Sequence, residues 1–126
     1  MKLNPAVTSS RRKCRKAYFT ASSAERAKVM SSRLSKELRE KHGVKTMPIR
    51  KGDVVKIMCG SHKTTTGKVT EVRRRDYKVI IEGVNQKSHN ASARAAPYPI
   101  HPSNCIIQEL SLDENRQKII NRRSKK

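Results

Sequence analysis

Branched aliphatic residues are concentrated in the middle of the chain. Val54, Val55, Ile57, Val69, Val72, Val79, Ile80, Ile81, Val84, Ile100, Ile106, Ile107 and Leu110 all fall between residues 48 and 110. They come in short runs bounded by turn residues. Val54 to Cys59 ends at Gly60, Gly67 to Val72 is a second run, and Tyr77 to Glu82 is a third ending at Gly83. Cys105 to Leu110 follows the turn Pro102-Ser103-Asn104. Runs of this length and composition predict strands. Strands so closely spaced, with no helix between them, predict a small barrel. At 63 residues such a barrel lies near the lower size limit for folding alone, and closing the sheet would remove apolar edges.

The flanks follow a different pattern. Ser22-Ser23-Ala24-Glu25 fits a capping box, in which the Ser22 hydroxyl and the Glu25 side chain satisfy each other's backbone N–H groups. One helix is expected from there to about Met30 and a second from Ser32 to His42, with Met30, Leu34 and Leu38 four apart and Gly43 as left-handed cap. Residues 1–21 show no periodicity and read as an extended arm. Asp113 to Arg123 predicts a short helix held by Ile119 and Ile120, with charges at its two ends that suit the helix dipole. The expected organisation is a basic arm at 1–21, short helices at 22–47, a barrel at 48–110, and a basic C-terminal helix and tail at 111–126. The fold class is mainly β.

Composition adds the polyanion. The 126 residues carry 30 Lys and Arg against 10 Asp and Glu, a formal net charge of +20. Self-repulsion on this scale makes a compact state depend on a negatively charged partner. Residues 1–47 hold 13 basic and 3 acidic side chains, residues 48–110 hold 11 and 5, and residues 111–126 hold 6 and 2. Half of the excess therefore sits on the N-terminal flank. The longest uninterrupted apolar run is three residues, as at Val79-Ile80-Ile81, so membrane insertion is not expected. No apolar stretch after Met1 could serve as a signal peptide. Cys14, Cys59 and Cys105 are too scattered for a disulfide framework or a zinc site and read as thiols in a reducing compartment.

Enzymatic signals fail one by one. Gly60 and Gly67-Lys68 have six residues between the glycines and are followed by Val69, where a phosphate loop needs four residues between and a Ser or Thr after the Lys. His42, His62, His89 and His101 are isolated, and Asp53, Glu71, Asp76 and Glu82 suit ion pairs better than acid–base chemistry. Asn90-Ala91-Ser92 matches a glycosylation acceptor by pattern only. No catalytic residues, metal or cofactor are expected.

Nucleic-acid signals are stronger. Basic clusters at 11–16, 73–75 and 122–126, on a chain of pI 10.6, favour phosphate contact. The expected barrel has only Tyr77 and Tyr98 as stacking platforms, so folded RNA or a duplex backbone read by charge and shape fits better than a single strand.

The stretch from Met47 to Val72 narrows the class. Ile49-Arg50-Lys51-Gly52-Asp53-Val54-Val55-Lys56-Ile57 runs into Cys59-Gly60-Ser61-His62-Lys63 and then Gly67-Lys68-Val69-Thr70-Glu71-Val72. It resembles the KOW motif, a strand–loop–strand unit of small SH3-like barrels. Gly52 and Gly60 permit tight turns, and Gly67 permits close backbone approach. Further strings fall in order along the chain, among them Lys2-Leu3-Asn4-Pro5, Leu34-Ser35-Lys36-Glu37-Leu38-Arg39, Met47-Pro48-Ile49-Arg50-Lys51 and Ile100-His101-Pro102-Ser103-Asn104. Together they resemble the eukaryotic–archaeal branch of the universal large-subunit ribosomal protein L twenty-four family, called L twenty-six in eukaryotes. The resemblance implies an rRNA-binding structural protein near the peptide exit tunnel that supports subunit assembly. Its implied neighbours are large-subunit rRNA and other large-subunit proteins, with no homo-oligomer. It implies a cytoplasmic ribosome, with assembly in the nucleus and nucleolus if the source is eukaryotic.

The candidate rRNA contacts are Arg11, Arg12, Lys13, Arg15 and Lys16 on the arm, and Arg50, Lys51, His62, Lys63, Lys68, Arg73, Arg74, Arg75 and Lys87 on the barrel. Their expected role is phosphate neutralisation with little base reading. The alternative is a KOW-type transcription-elongation protein or another architectural nucleic-acid binder. Residues 1–47 are too short and too basic for the α/β domain that elongation proteins carry. Two departures from the family stand out. Thr64 occupies a position where the family usually has Gly, and Asn90-Ala91 replaces the common Asn-Gly hairpin tip. The 85–99 hairpin is therefore expected to turn differently or to be partly disordered.

Overall fold

The computed structural model describes residues 2–86 and 95–124. Lys87, the Asn90-Ala91 tip, the Asn90-Ala91-Ser92 pattern and the last two lysines lie outside the described residues.

The N-terminal flank holds helix α1 (Arg11–Phe19), helix α2 (Ser23–Val29), strand β1 (Ser31–Leu34), helix α3 (Lys36–His42) and strand β2 (Thr46–Pro48). The middle holds β3 (Val54–Ile57), β4 (Thr66–Arg73), β5 (Lys78–Ile81) and, after a 3-10 turn at Pro102–Asn104, β6 (Cys105–Glu109). Helix α4 (Glu114–Ser124) follows. The six strands form one mixed sheet in the order β2-β1-β6-β3-β4-β5, with β1 parallel to β6 and every other pair antiparallel. The fold is a small, mainly β domain with short helices.

Three expectations need correction. The arm is not extended throughout, since residues 11–19 are helical. Lys, Arg and Ala are good helix formers, and Cys14 and Tyr18, four apart, are the half-buried positions of an otherwise exposed helix. That two-residue stripe is too thin to register as a period. The second expected helix starts later than Ser32, because Ser31–Leu34 is a strand with alternating burial. Ser32 points inward and its hydroxyl donates to the Pro102 carbonyl at 2.6 Å. The four-residue spacing of Met30, Leu34 and Leu38 is thus a coincidence rather than a helical face. Ser35 caps α3 instead, accepting from the Leu38 N–H. Finally, β1 and β2 carry the sheet across the boundary expected at residue 48. The core takes Met30, Leu34, Val44, Met47 and Ile120 from the flanks, alongside Val55, Ile57, Val69, Val79, Ile81 and Ile107.

Other local readings hold. The capping box at Ser22 and Glu25 forms, and the backbone N–H of Ser22 at Glu25 is the main cause holding that carboxyl below its ordinary range. Gly43 caps α3 at φ 64°. A Cβ on Gly67 would lie 2.6 Å from Ile81 Cγ2 and 2.7 Å from the Glu82 carbonyl, so close approach of β4 to β5 requires glycine there. Cys105 is buried, and burial pushes its thiol up to about 11, leaving it protonated and inert.

The C-terminal helix is fixed by a buried ion pair. Arg116 and Asp53 have side chains 1% and 0% exposed. The two guanidinium Nη atoms meet the two carboxylate oxygens, one pair at 2.7 Å. Nη1 also donates to the Ser111 carbonyl and Nη2 to the Pro48 carbonyl, each at 3.0 Å. Asp53 further accepts the backbone N–H groups of Arg50 at 3.0 Å and Ser111 at 2.9 Å. Among the described residues, Arg116 Nε is the one buried side-chain nitrogen or oxygen without a hydrogen-bond partner. Removing one member of such a pair strands a buried charge. Arg116→Ala should therefore lower unfolding stability by about 3–5 kcal/mol, read by urea denaturation. A loss under about 1 kcal/mol would mean that α4 is anchored by its apolar contacts alone.

Candidate nucleic-acid interface

Helix α1 is docked rather than free. Tyr18 stacks on Tyr77 with ring centroids 4.2 Å apart and planes at 14°. The Tyr77 hydroxyl donates to the Tyr18 carbonyl. Arg26 closes the joint. Its guanidinium lies 5.0 Å over the Tyr77 ring, and it donates to the carbonyls of Phe19 at 2.9 Å, Ala21 at 3.0 Å and Arg75 at 2.6 Å. Arg26 was invisible as a site residue because one arginine among many carries no signature. Yet it joins the end of α1 to the β4–β5 turn. The C-terminal end of α1, which carries the exposed Arg11, Arg12, Lys13, Arg15 and Lys16, is thereby joined to the turn that carries Arg73, Arg74 and Arg75, some sixty residues away in sequence.

Arg50 and Lys51 approach the same end. With Arg74 they ring a cleft of about 660 Å3, with Glu71 also lining it. Not all of these cations are free. Arg73 is held by both oxygens of Glu71 at 2.9 and 3.1 Å, which raises its pKa and lowers that of Glu71. Arg50 pairs with Asp113 at 2.8 Å. The Asp113 carboxyl lies below its ordinary range, first through the backbone N–H of Arg116 and then through Arg50. Arg15 lies 5.2 Å over the Phe19 ring on its own helix.

A bulge in β4 sets which side chains face outward. Val69 pairs with Ile81 and Glu71 with Ile80, so Thr70 is the extra residue. Val69 is buried and Val72 half-buried against the core, while Lys68, Glu71 and Arg73 are exposed. An unbroken alternation from Val69 would have turned Glu71 inward.

His62 and Lys63 are at the other end of β4, in the β3–β4 loop. Eight strand residues separate the two ends, about 25 Å at 3.3 Å per residue. Lys63 is exposed and His62 half-buried, its ring 5.0 Å from that of Tyr98. Thr64 adopts φ 73°, a left-handed conformation that suits glycine. Lys87 lies outside the described residues. Lys28, Lys45 and Arg123 form a further basic group around Gly43. The C-terminal ends of α2, α3 and α4 converge there, so these cations complement helix dipoles.

Residues 8–123 match the family model described as ribosomal proteins L26, eukaryotic, and L24p, archaeal. The chain belongs to this family. It is 42% identical over 125 residues to large ribosomal subunit protein uL24 of Candida albicans, covering 99% of this chain and 97% of the relative. The uL24 of Dictyostelium discoideum is also 42% identical over 125 residues, covering 99% of this chain and 88% of the relative. That of Caenorhabditis elegans is 41% identical over 124 residues, covering 98% and 86%. The L26/uL24 family is one of structural ribosomal proteins rather than enzymes. The strand–loop–strand unit on which the resemblance rested is present as β3, the 58–65 loop and β4.

Two outcomes test this local geometry. Non-glycine residues in left-handed backbone cost about 1–3 kcal/mol, against less than ~1 kcal/mol for the added freedom of glycine when unfolded. Thr64→Gly should therefore raise stability by about 1 kcal/mol in chemical denaturation. Tyr18→Ala should release α1, seen as faster amide exchange at residues 11–19 with β3 and β6 unaffected. Unchanged protection of α1 would show that the Tyr18–Tyr77 stack does not hold it.

Proposed function

We propose that the protein is a structural constituent of the large ribosomal subunit that binds folded rRNA near the peptide exit tunnel and supports subunit assembly. The observation that carries this reading is the docked α1. The docking joins the helix carrying five exposed basic side chains to the turn carrying Arg74 and Arg75, with Arg50 and Lys51 on the adjoining cleft. Family membership supports rRNA as the polyanion, since the relatives are named as large-subunit proteins. Lys68 and the 58–65 loop extend the positive surface along β4 toward Lys63. Phosphate oxygens accept from these side chains, which fixes register on the RNA without reading its sequence. Arg73 contributes less than its neighbours, because Glu71 already occupies its donors. Neighbouring large-subunit proteins are the other partners. The site of action is the cytoplasmic ribosome, with assembly in the nucleus and nucleolus where the cell has one. Among the described residues no helix is long and apolar enough to cross a membrane.

Counterion release supplies the test. With about six phosphate contacts, affinity for large-subunit rRNA should fall roughly a thousandfold between ~50 and ~200 mM salt. Lys63→Ala or Arg74→Ala should each reduce the logarithmic salt slope by about one. Filter binding across a salt series reads both. A salt-insensitive complex would sink the mechanism.

A further inference from the structure

The β3–β4 loop does more than present Lys63. Ser61, His62, Gln86 and Tyr98 line an outer recess of about 440 Å3. Ser61, His62 and Tyr98 also line an adjoining cavity of about 130 Å3, which reaches Lys78, His101 and Asn104. No carboxylate lines either space among the described residues. The aromatic wall is held from both sides. The Tyr98 N–H donates to the Val84 carbonyl at 3.0 Å and the Gln86 N–H to the Ala96 carbonyl at 2.8 Å. His62 sits in a tight loop in which the Lys63 N–H donates to the Gly60 carbonyl and the Thr65 N–H to the His62 carbonyl. The His62 and Tyr98 rings are 5.0 Å apart and inclined at 55°, so they meet at an angle rather than covering each other. Tyr98 remains 36% exposed.

The outer recess has no Lys or Arg in its lining, so it does not suit a phosphate, which needs converging cations or backbone N–H groups. It combines an aromatic surface with a hydroxyl and an amide at the rim, the complement of a flat ring with a hydrogen-bonding edge. We propose that the recess takes one unpaired nucleobase of the bound RNA, stacked on Tyr98 beside His62 with Ser61 and Gln86 at its edge. The inference rests on the RNA-binding reading and deepens it. His62 becomes part of a base-stacking wall rather than a phosphate contact. The protein then distinguishes an extruded base from a continuous duplex, a discrimination that phosphate contacts alone do not provide.

The test uses the full chain and two RNA stems. One is fully paired, and the other carries a single bulged 2-aminopurine. The bulged stem should bind roughly tenfold tighter, within the range of one aromatic–base stack, and the bulged base should be quenched on binding. Tyr98→Leu should erase the preference, leaving affinity for the paired stem and the salt slope unchanged. Tyr98→Phe, which keeps the ring, should retain it. Unchanged affinity for the paired stem also shows that the variants are folded. Equal binding of both stems by the wild type, or a preference that survives Tyr98→Leu, overturns the pocket and leaves RNA binding standing. Failure to bind either stem overturns both.

Discussion

The buried pairing of Arg116 with Asp53 is the constraint on which most of the structure depends. Two charges withdrawn from water are costly unless geometry and additional hydrogen bonds offset the loss. Here a planar, two-pronged guanidinium faces a carboxylate that also takes two backbone N–H groups. The pair reaches the Pro48 carbonyl at the end of β2 and the Ser111 carbonyl before α4. It therefore fixes the turn into β3, one edge of the sheet and the C-terminal helix at a single point. Ile119 and Ile120 alone give α4 little to hold it in place. A bidentate pair supplies the position that apolar contact leaves loose.

The same scarcity of carboxylates shapes the surface. Asp53, Glu71, Asp113 and Glu114 are each engaged by a basic side chain of the protein itself. Glu25 is committed to its capping box. Five of the ten acidic groups are engaged in this way within the protein, and Asp76 stands on the β4–β5 turn among the cations it presents. The positive field is thus organised by internal pairing as much as by the count of Lys and Arg. Arg50 and Arg73 are partly satisfied, whereas Arg74, Lys63 and the α1 residues have no salt-bridge partner among the described residues.

The strands from Val54 onward could be read from the sequence because their β-branched runs and turn residues are local signals. So could the Ser22 cap, the Gly43 cap and the tight approach at Gly67. What escaped was set by contacts between distant segments. Ser31–Leu34 becomes a strand only because β2 and β6 flank it, and its buried Ser32 looks polar until Pro102 is placed above it. Asp53 looked like a partner for a neighbouring Lys or Arg, and its actual partner lies 63 residues away. The docking of α1 needed Tyr77 to be brought opposite Tyr18, which no periodicity encodes. The candidate site residues were legible as charge, but their division between the two ends of β4, and the pairing that occupies Arg50 and Arg73, required the fold.

The strand order carries a consequence for the chain as it is made. Strand β6 lies between β1 and β3, near the centre of the sheet, although it comes last in sequence. During synthesis from the N-terminus, β1 and β2 cannot join β3 and β4 until Cys105–Glu109 has appeared, and Asp53 stays unpaired until Arg116 has. Long-range pairing of this kind forms late. The nascent chain therefore exposes its basic N-terminal residues well before it has a closed core.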